Sequence, residues 1–167
     1  MVLFEDETGF SLHPKLGRIW AKRGGRPFVY TRSQHQKRLN IFGWVDLIQG
    51  SHGIIKWISG NTDGFIQVLR KIIYRFKGKT IDLWVDNARW HIGARVEAFS
   101  AEYSFFHIHY LPAYHPELNY QEHLWHTMRY EETTNVYFET ISDLDHAVFK
   151  RSQRWKPKKI KELCPLI

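Results

Sequence analysis

Short apolar runs that stop on acidic residues set the rhythm of this chain. Val2 to Phe4 is continuously apolar and runs into Glu5 and Asp6, which predicts a strand covered on both faces and ending near Asp6. Leu39 to Ile48 and Ile54 to Ile58, split by the turn-rich QGSHG, predict an antiparallel pair. Phe65, Val68, Leu69, Ile72, Ile73 and Phe76 then recur at helical spacing. Asn61 or Thr62 suits the N-cap of that helix, which should end before Gly78. Ile81 to Val85 reads as a buried strand, Gly93 to Tyr103 as a helix and Phe105 to Leu111 as an alternating strand. Two further helices follow, one from about Asn119 carrying Leu124, Trp125 and Met128, the other from about Ser142 to Arg154.

Three opening strands followed by alternating helices and strands predict an α/β fold. The expected sheet is mixed and five-stranded, its first three strands antiparallel and the later ones parallel, with helices on both faces. If the first strand lies beside the fourth, their carboxyl ends meet and Asp6 comes close to Asp86, at the edge where open α/β sheets bind ligands. The 167 residues amount to one domain, and 43% hydrophobic content is ample for its core. Residues 11–37, punctuated by Pro14, Gly17, Gly24, Gly25 and Pro27, predict a hairpin or long loop inserted after the first strand.

Charge sharpens that picture. The formal net charge is +7, and from Thr8 to Val45 there is no Asp or Glu. That stretch holds Lys15, Arg18, Lys22, Arg23, Arg26, Arg32, Lys37 and Arg38, more cations than the whole-chain surplus, and points to a polyanion such as DNA. A second basic run, KRSQRWKPKKIK, opens a tail at about 150–167 that is either solvated and partly frayed or a contact for phosphates. Seven Trp, eight Tyr and eleven Phe exceed what one core needs. Trp20 in the basic stretch and Trp90 just past Asp86 are the candidates for stacking on an unpaired base.

A lone cysteine, Cys164, excludes an internal disulfide and a cysteine-based zinc cluster and fits a reducing compartment. No run approaches the roughly 20 apolar residues of a membrane span. Zinc bound by histidine is discounted too, because His107 with His109 and His123 with His126 fix no third ligand by spacing.

Three acids remain as the candidate chemistry: Asp6, Asp86 and Glu122. Breaking a phosphodiester requires attacking and leaving oxygens to shed charge onto cations, and Mg2+ takes hard carboxylate oxygens. Three such groups gathered together repel, so at least one should have a raised pKa. Each has a plainer reading. Glu122 could close a capping box with Asn119, and Asp6 and Asp86 could be ordinary strand-end residues. Glu5 and Glu7 flank Asp6, but alternation lets only one of Asp6 and Glu7 share the side of Asp86. Asn87 and His91 are placed to orient a ligand, a water or a phosphate, and Asn87 serves equally well as a helix cap.

The segments FEDETGF, WAKRGGRP, VDNARWH and LPAYHPELNYQEHLW, with 36 positions from Asp86 to Glu122, resemble the catalytic domain of DDE transposases. The likeness is to the bacterial insertion-sequence branch of the mariner-like superfamily and covers nearly the whole chain. It implies an RNase H-like, retroviral-integrase-like fold and picks Asp6 over its neighbours. By the same resemblance Asp6, Asp86 and Glu122 are the catalytic metal ligands, holding two Mg2+ or Mn2+ ions. The implied activity is metal-dependent cleavage of DNA at transposon ends followed by strand transfer, by a homodimer acting in the cytoplasm at the nucleoid. Rival expectations are an RNase H-like nuclease or resolvase that cuts without joining, and an inactive DNA-binding remnant.

Two positions depart from the family pattern, Tyr120 where proline is common and His115 where a small residue is common. Family members also carry a helix-turn-helix DNA-binding region before the catalytic domain, whereas this chain begins at its first strand. That region is expected on a longer protein or on a partner chain.

Overall fold

The computed structural model describes residues 1–31, 37–57 and 60–165. Strands β1 (Val2–Ser11), β2 (Arg38–Asp46), β3 (Ser51–Trp57), β4 (Ile81–Val85) and β5 (Phe106–Tyr110) form one sheet in the order β3-β2-β1-β4-β5. The first three strands pair antiparallel, and β4 lies parallel to both β1 and β5. This is the mixed sheet the hydrophobic pattern predicts. Ile58, expected in the third strand, lies outside the described residues.

One boundary differs. β1 does not stop near Asp6 but continues to Ser11. Its parallel register with β4 ends at Phe4 opposite Trp84, while its antiparallel register with β2 continues from Glu5 opposite Trp44 to Ser11 opposite Arg38. From residue 5 to residue 11 β1 therefore has a neighbouring strand on one side only. Asp6 sits where β4 has already left the sheet, so a notch opens on that side of β1.

Period-two alternation sorts the sheet into two cores. On one face Leu3, Phe42, Ile55, Leu83 and Val85 pack under α1 (Thr62–Arg75) and α2 (Ala94–Ala101), which contribute Phe65, Val68, Leu69, Ile72, Val96 and Phe99. On the other, Phe4, Phe10, Ile41 and Val45 meet α3 (Tyr120–Met128), α4 (Ile141–Arg154) and α5 (Pro157–Leu163) through Leu124, Trp125, Met128, Leu144, Val148 and Ile160. Caps start the helices locally. The Asn61 side chain accepts from Gly64 N–H at 2.8 Å, and Thr140 with Asp143 closes a capping box on α4. Each such cap is worth about 1 kcal/mol. Gly78, at φ 81°, takes the left-handed conformation just beyond α1. Among the described residues no helix is long and apolar enough to cross a membrane.

The basic end of the chain is folded. Residues 150–154 form the last turn of α4, α5 follows, and Trp155, Ile160 and Cys164 are buried in the core. The frayed-tail expectation fails because these three apolar residues repeat along the basic run and anchor it. Lys150, Arg154, Lys156, Lys158, Lys159 and Lys161 stay exposed, while Arg151 pairs with Glu132 and, at 3.4 Å, with Glu131.

Residues 12–31 form a loop rather than a hairpin, held at its base by a bridge from Lys15 to Thr134. Gly17 N–H donates to Asn135 Oδ1 at 3.0 Å, and the Asn135 amide returns a bond to the Gly17 carbonyl at 3.2 Å.

Gly43 sets how closely α3 approaches the sheet. It lies opposite Asp6 in the register, and a Cβ there would stand 2.5 Å from the Trp125 ring and 2.7 Å from the Gln121 amide. The helix that carries Glu122 therefore rests on a glycine. Gly43→Ala is expected to destabilise the protein by about 1–3 kcal/mol through overpacking. For a domain of this size the melting midpoint should fall roughly 2–4 °C per kcal/mol. Thermal unfolding followed by circular dichroism checks this, and an unshifted midpoint would show that Trp125 swings aside freely.

Candidate active site

Asp6, Asp86 and Glu122 line one cavity of about 420 Å³, together with Asn87, Leu111, Pro112, Tyr114, His115 and Asn119. Three different devices deliver the acids. Asp6 projects from the part of β1 that outruns β4, Asp86 follows the last residue of β4, and Glu122 lies in the first turn of α3. Asn119 ties the third to the first. Its side chain caps α3 by accepting from Gln121 N–H at 3.2 Å, and its amide donates to the Glu5 carbonyl at 2.9 Å, so the helix start hangs from the residue before Asp6.

The plainer readings resolve in the same geometry. Asn119 caps through Gln121, Glu122 sends only its backbone N–H to the Asn119 carbonyl at 3.0 Å, and its carboxylate faces the cavity with Arg129 3.8 Å away. Asn87 caps no helix. Its amide donates to the Leu111 carbonyl at 2.6 Å and joins the two loops that wall the cleft. Tyr114, at φ 63° and fully exposed, stands in that wall. A left-handed tyrosine costs strain, which concentrates at functional sites.

Burial first, then the charges of Glu122, Glu7 and Asp86, holds the Asp6 carboxyl well above the usual aspartate range. Its Oδ2 is buried with no hydrogen-bond partner. Asp86 is pulled the other way. His91 Nδ1 pairs with its Oδ1 at 2.8 Å while donating to the Asp86 carbonyl at 3.2 Å, and that side-chain interaction, opposed by partial burial and aided by Ala88 N–H, lowers its pKa. An unpartnered buried carboxylate oxygen, a second acid held ionised and a third on the same wall make a donor set of hard oxygens, suited to Mg2+ or Mn2+.

Glu5 and Glu7 fall on the opposite face of β1, as alternation demands, and His91 joins them there. Its Nε2 donates to Glu7 Oε1 at 2.9 Å and lies 3.7 Å from Glu5 Oε2. Burial alone would lower the His91 pKa, but the bonds to Asp86 and Glu7, with the charge of Glu5, push it up to about 11. Glu5 is raised well above its usual range, chiefly by burial and then by Glu7, and both its oxygens lack hydrogen-bond partners. His91 is thus shared by Asp86 and Glu7, with Glu5 close by. Among the described residues Glu5, Glu7 and His91 are the trio whose ligand atoms all lie within 4.8 Å of one another; the acids in the cleft stand further apart.

The Trp90 indole N–H donates to Glu7 Oε1 at 2.5 Å, and its ring is half-buried. Trp20 is fully exposed. Lys15, Arg18, Lys22, Arg23, Arg26, Lys37 and Arg38 are exposed as well, on the segment that leaves the carboxyl end of β1, the same end of the sheet as the cleft. Arg32 lies outside the described residues. Sequence reasoning missed the anchoring bond of Asn119, the engagement of Glu7 and the approach of Arg129 to Glu122. Only for Asn119 was there a local signal, the Asn before an amphipathic run.

The family model described as DDE superfamily endonuclease matches residues 1–145. The chain is 31% identical over 139 residues to the insertion element IS630 uncharacterized 39 kDa protein of Shigella sonnei, covering 80% of this chain and 39% of that protein. It thus spans about two fifths of the length of that relative. Among solved structures it is similar to the Mos1 transposase paired-end complex with left transposon end, at a TM-score of 0.74 and 16% identity over 98% of this chain and 51% of that one. The Mos1 mariner paired end complex with Mn matches at 0.74 and 15%, with the same coverage. At these identities the likeness carries the fold, and the RNase H-like sheet expected from the motifs is present.

Because the folded pKa of Asp6 is raised, its contribution to stability is complete below the ordinary value of 3.8 and is lost as pH rises through the raised value. Asp6→Asn is therefore expected to raise the melting temperature near neutral pH without divalent ions, and the gain should vanish on acidification toward about pH 4. Melts across a pH series check this; a gain independent of pH would mean that Asp6 ionises freely.

Proposed function

The chain belongs to the DDE superfamily of endonucleases, and from that premise we propose that it is a transposase catalytic domain that cleaves DNA at transposon ends and joins the freed 3′ end to a target. The observation that carries this reading is the convergence of Asp6, Asp86 and Glu122, from a strand, a strand end and a helix start, on one cavity. Two Mg2+ or Mn2+ ions held by these carboxylates would lower the pKa of an attacking water and neutralise the charge on the departing oxygen. The Mn-bound Mos1 complex with the same fold supports that choice of metal.

The residues of the chain supply the rest. Asp6, buried and strained by like charge, gains most when a cation arrives. Asp86 is already ionised and oriented by His91. Asn119 and Asn87 hold the helix start and the walls so that the acids keep their places. In the first step the water oxygen bonds to phosphorus as the bond to the 3′ oxygen breaks, and that oxygen leaves as a hydroxyl. In the second, this hydroxyl attacks a target phosphodiester and one P–O bond again replaces another. The cations of the 12–31 segment, with Lys37 and Arg38, face the phosphate backbone and hold DNA without reading sequence. Arg32 joins them by its place in the same basic stretch. End recognition then falls to a helix-turn-helix region on a longer protein or a partner chain. Pairing two ends calls for a homodimer, working in the cytoplasm at the nucleoid.

Asp86→Asn is expected to abolish Mn2+-dependent nicking of supercoiled DNA while the protein stays folded; retained nicking would remove Asp86 from the metal site. Joining of a pre-cut 3′ oligonucleotide to plasmid separates transposase from the rivals. Cutting without joining marks a nuclease or resolvase, and DNA binding without metal-dependent cutting marks an inactive remnant.

Replacing Lys22, Arg23 and Arg26 with Ala should flatten the dependence of log K on log salt by roughly 0.9 for each phosphate no longer neutralised. Fluorescence anisotropy across a salt series measures this, and an unchanged slope excludes the basic loop from the DNA interface.

A further inference from the structure

Glu7 and His91 line no wall of the cleft, yet they form a continuous chain to Asp86. The link begins at Trp90, whose indole N–H donates to Glu7 Oε1 at 2.5 Å. The same Glu7 oxygen accepts from His91 Nε2 at 2.9 Å, and His91 Nδ1 donates to the Asp86 carbonyl at 3.2 Å and forms an ion pair with Asp86 Oδ1 at 2.8 Å. His91 is wholly buried, its ring centroid 4.2 Å from that of Phe65 in α1. Its backbone is pinned as well, since its N–H donates to the Ala88 carbonyl at 2.9 Å and its carbonyl accepts from the Tyr110 hydroxyl at 3.0 Å. The short loop 87–91 thus turns back under the end of β4 and reaches Asp86 from the far face of the sheet.

Both close contacts of the Asp86 carboxylate fall on Oδ1, the ion pair with His91 Nδ1 and the hydrogen bond from Ala88 N–H at 2.9 Å. Oδ2 makes neither of these contacts. We propose that Glu7 and His91 are the positioning pair for Asp86, so that an acid acting on one face of the sheet is held in register by a carboxylate on the other. The inference rests on Asp86 being a cation ligand, as proposed above. The chemistry is that of a metal-binding group whose orientation is locked by an outer partner, loss of which typically costs about 10–100-fold in affinity. Glu5 and Glu7 flank Asp6 in sequence, but only Glu7 has this use. The Glu5 carboxylate stands 3.7 Å from His91 Nε2, and among the described residues its oxygens accept no hydrogen bond.

Titration calorimetry of the protein with MnCl2, alongside thermal melts, tests this with four variants. Glu7→Ala, which removes a side chain bonded to no residue lining the cleft, should weaken Mn2+ binding by about ten-fold. His91→Gln keeps an amide near the Nε2 position, facing Glu7, and loses the bond to Asp86, so affinity should fall by about 10–100-fold. His91→Asn keeps an amide near the Nδ1 position, facing Asp86, and should recover most of that loss. A merely structural histidine would lower stability in both His91 variants and leave their Mn2+ affinities equal. Wild-type affinity in folded Glu7→Ala, or equal affinity in the two His91 variants, overturns the proposal. Asp86→Asn tests the reading beneath it. Unchanged affinity there removes the ligand role and the positioning pair with it, whereas loss there with wild-type affinity in His91→Gln removes the positioning pair alone.

Discussion

Three consecutive acids on the central strand of a sheet are the constraint around which this structure is organised. Glu5, Asp6 and Glu7 occupy the strand that is paired on both sides at its start, where charge is costly to bury. Alternation divides them, Asp6 to one face and the two glutamates to the other. Each face answers differently. On the glutamate side a buried imidazolium bridges to Asp86 and shares its proton-bearing nitrogens between two carboxylates. On the Asp6 side no such partner is built, and the carboxyl stays raised, with an oxygen that bonds to nothing in the chain.

The unpartnered Asp6 oxygen lies beside a cavity that Asp86 and Glu122 also line, and the proposed cation site rests on that convergence. A protein selected only for stability would pair Asp6 or replace it, since an unsatisfied buried acceptor costs about 1–3 kcal/mol. Here the surroundings maintain the problem. Gly43 lets α3 come close, Asn119 hangs the helix from β1, and Glu122 is brought into the same cavity as Asp6, so three elements are held together against mutual repulsion by packing and neutral hydrogen bonds. Stability and chemistry pull in opposite directions at this edge of the sheet, as is common where function is stored.

The notch that receives the acids comes from unequal strand lengths. β4 has five residues and β1 has ten, so their carboxyl ends cannot coincide and the longer strand is left bare on one side. Apolar runs read from sequence locate strands by what is buried, and residues 5 to 11 are three acids followed by small residues, with only Phe10 as a large apolar marker. Nothing local in FEDETGF announces that β2 would carry the strand onward. The basic run near the end of the chain misleads for the converse reason: Trp155, Ile160 and Cys164 are too widely spaced among lysines to register as a core helix, yet they meet the sheet once α4 has delivered them.

What the residues determined by themselves was the identity of the elements: periodicity marks β2 to β5 and the long helices, and caps such as Asn61 are legible in place, while Asp6, Asp86 and Glu122 were singled out by the resemblance of their motifs. The tertiary structure decided everything that depends on partners distant in the chain. Whether Glu122 closes a cap or faces a cavity, whether Trp90 is free or bonded, and whether Glu7 is idle or tied to Asp86 are settled by which groups the fold brings together, for Trp90 and His91 across 83 and 84 positions, and the sequence carries no local signal of it. The physical reason is that charge and hydrogen bonding act over a few ångströms of space, and only the folded sheet brings those residues within that range.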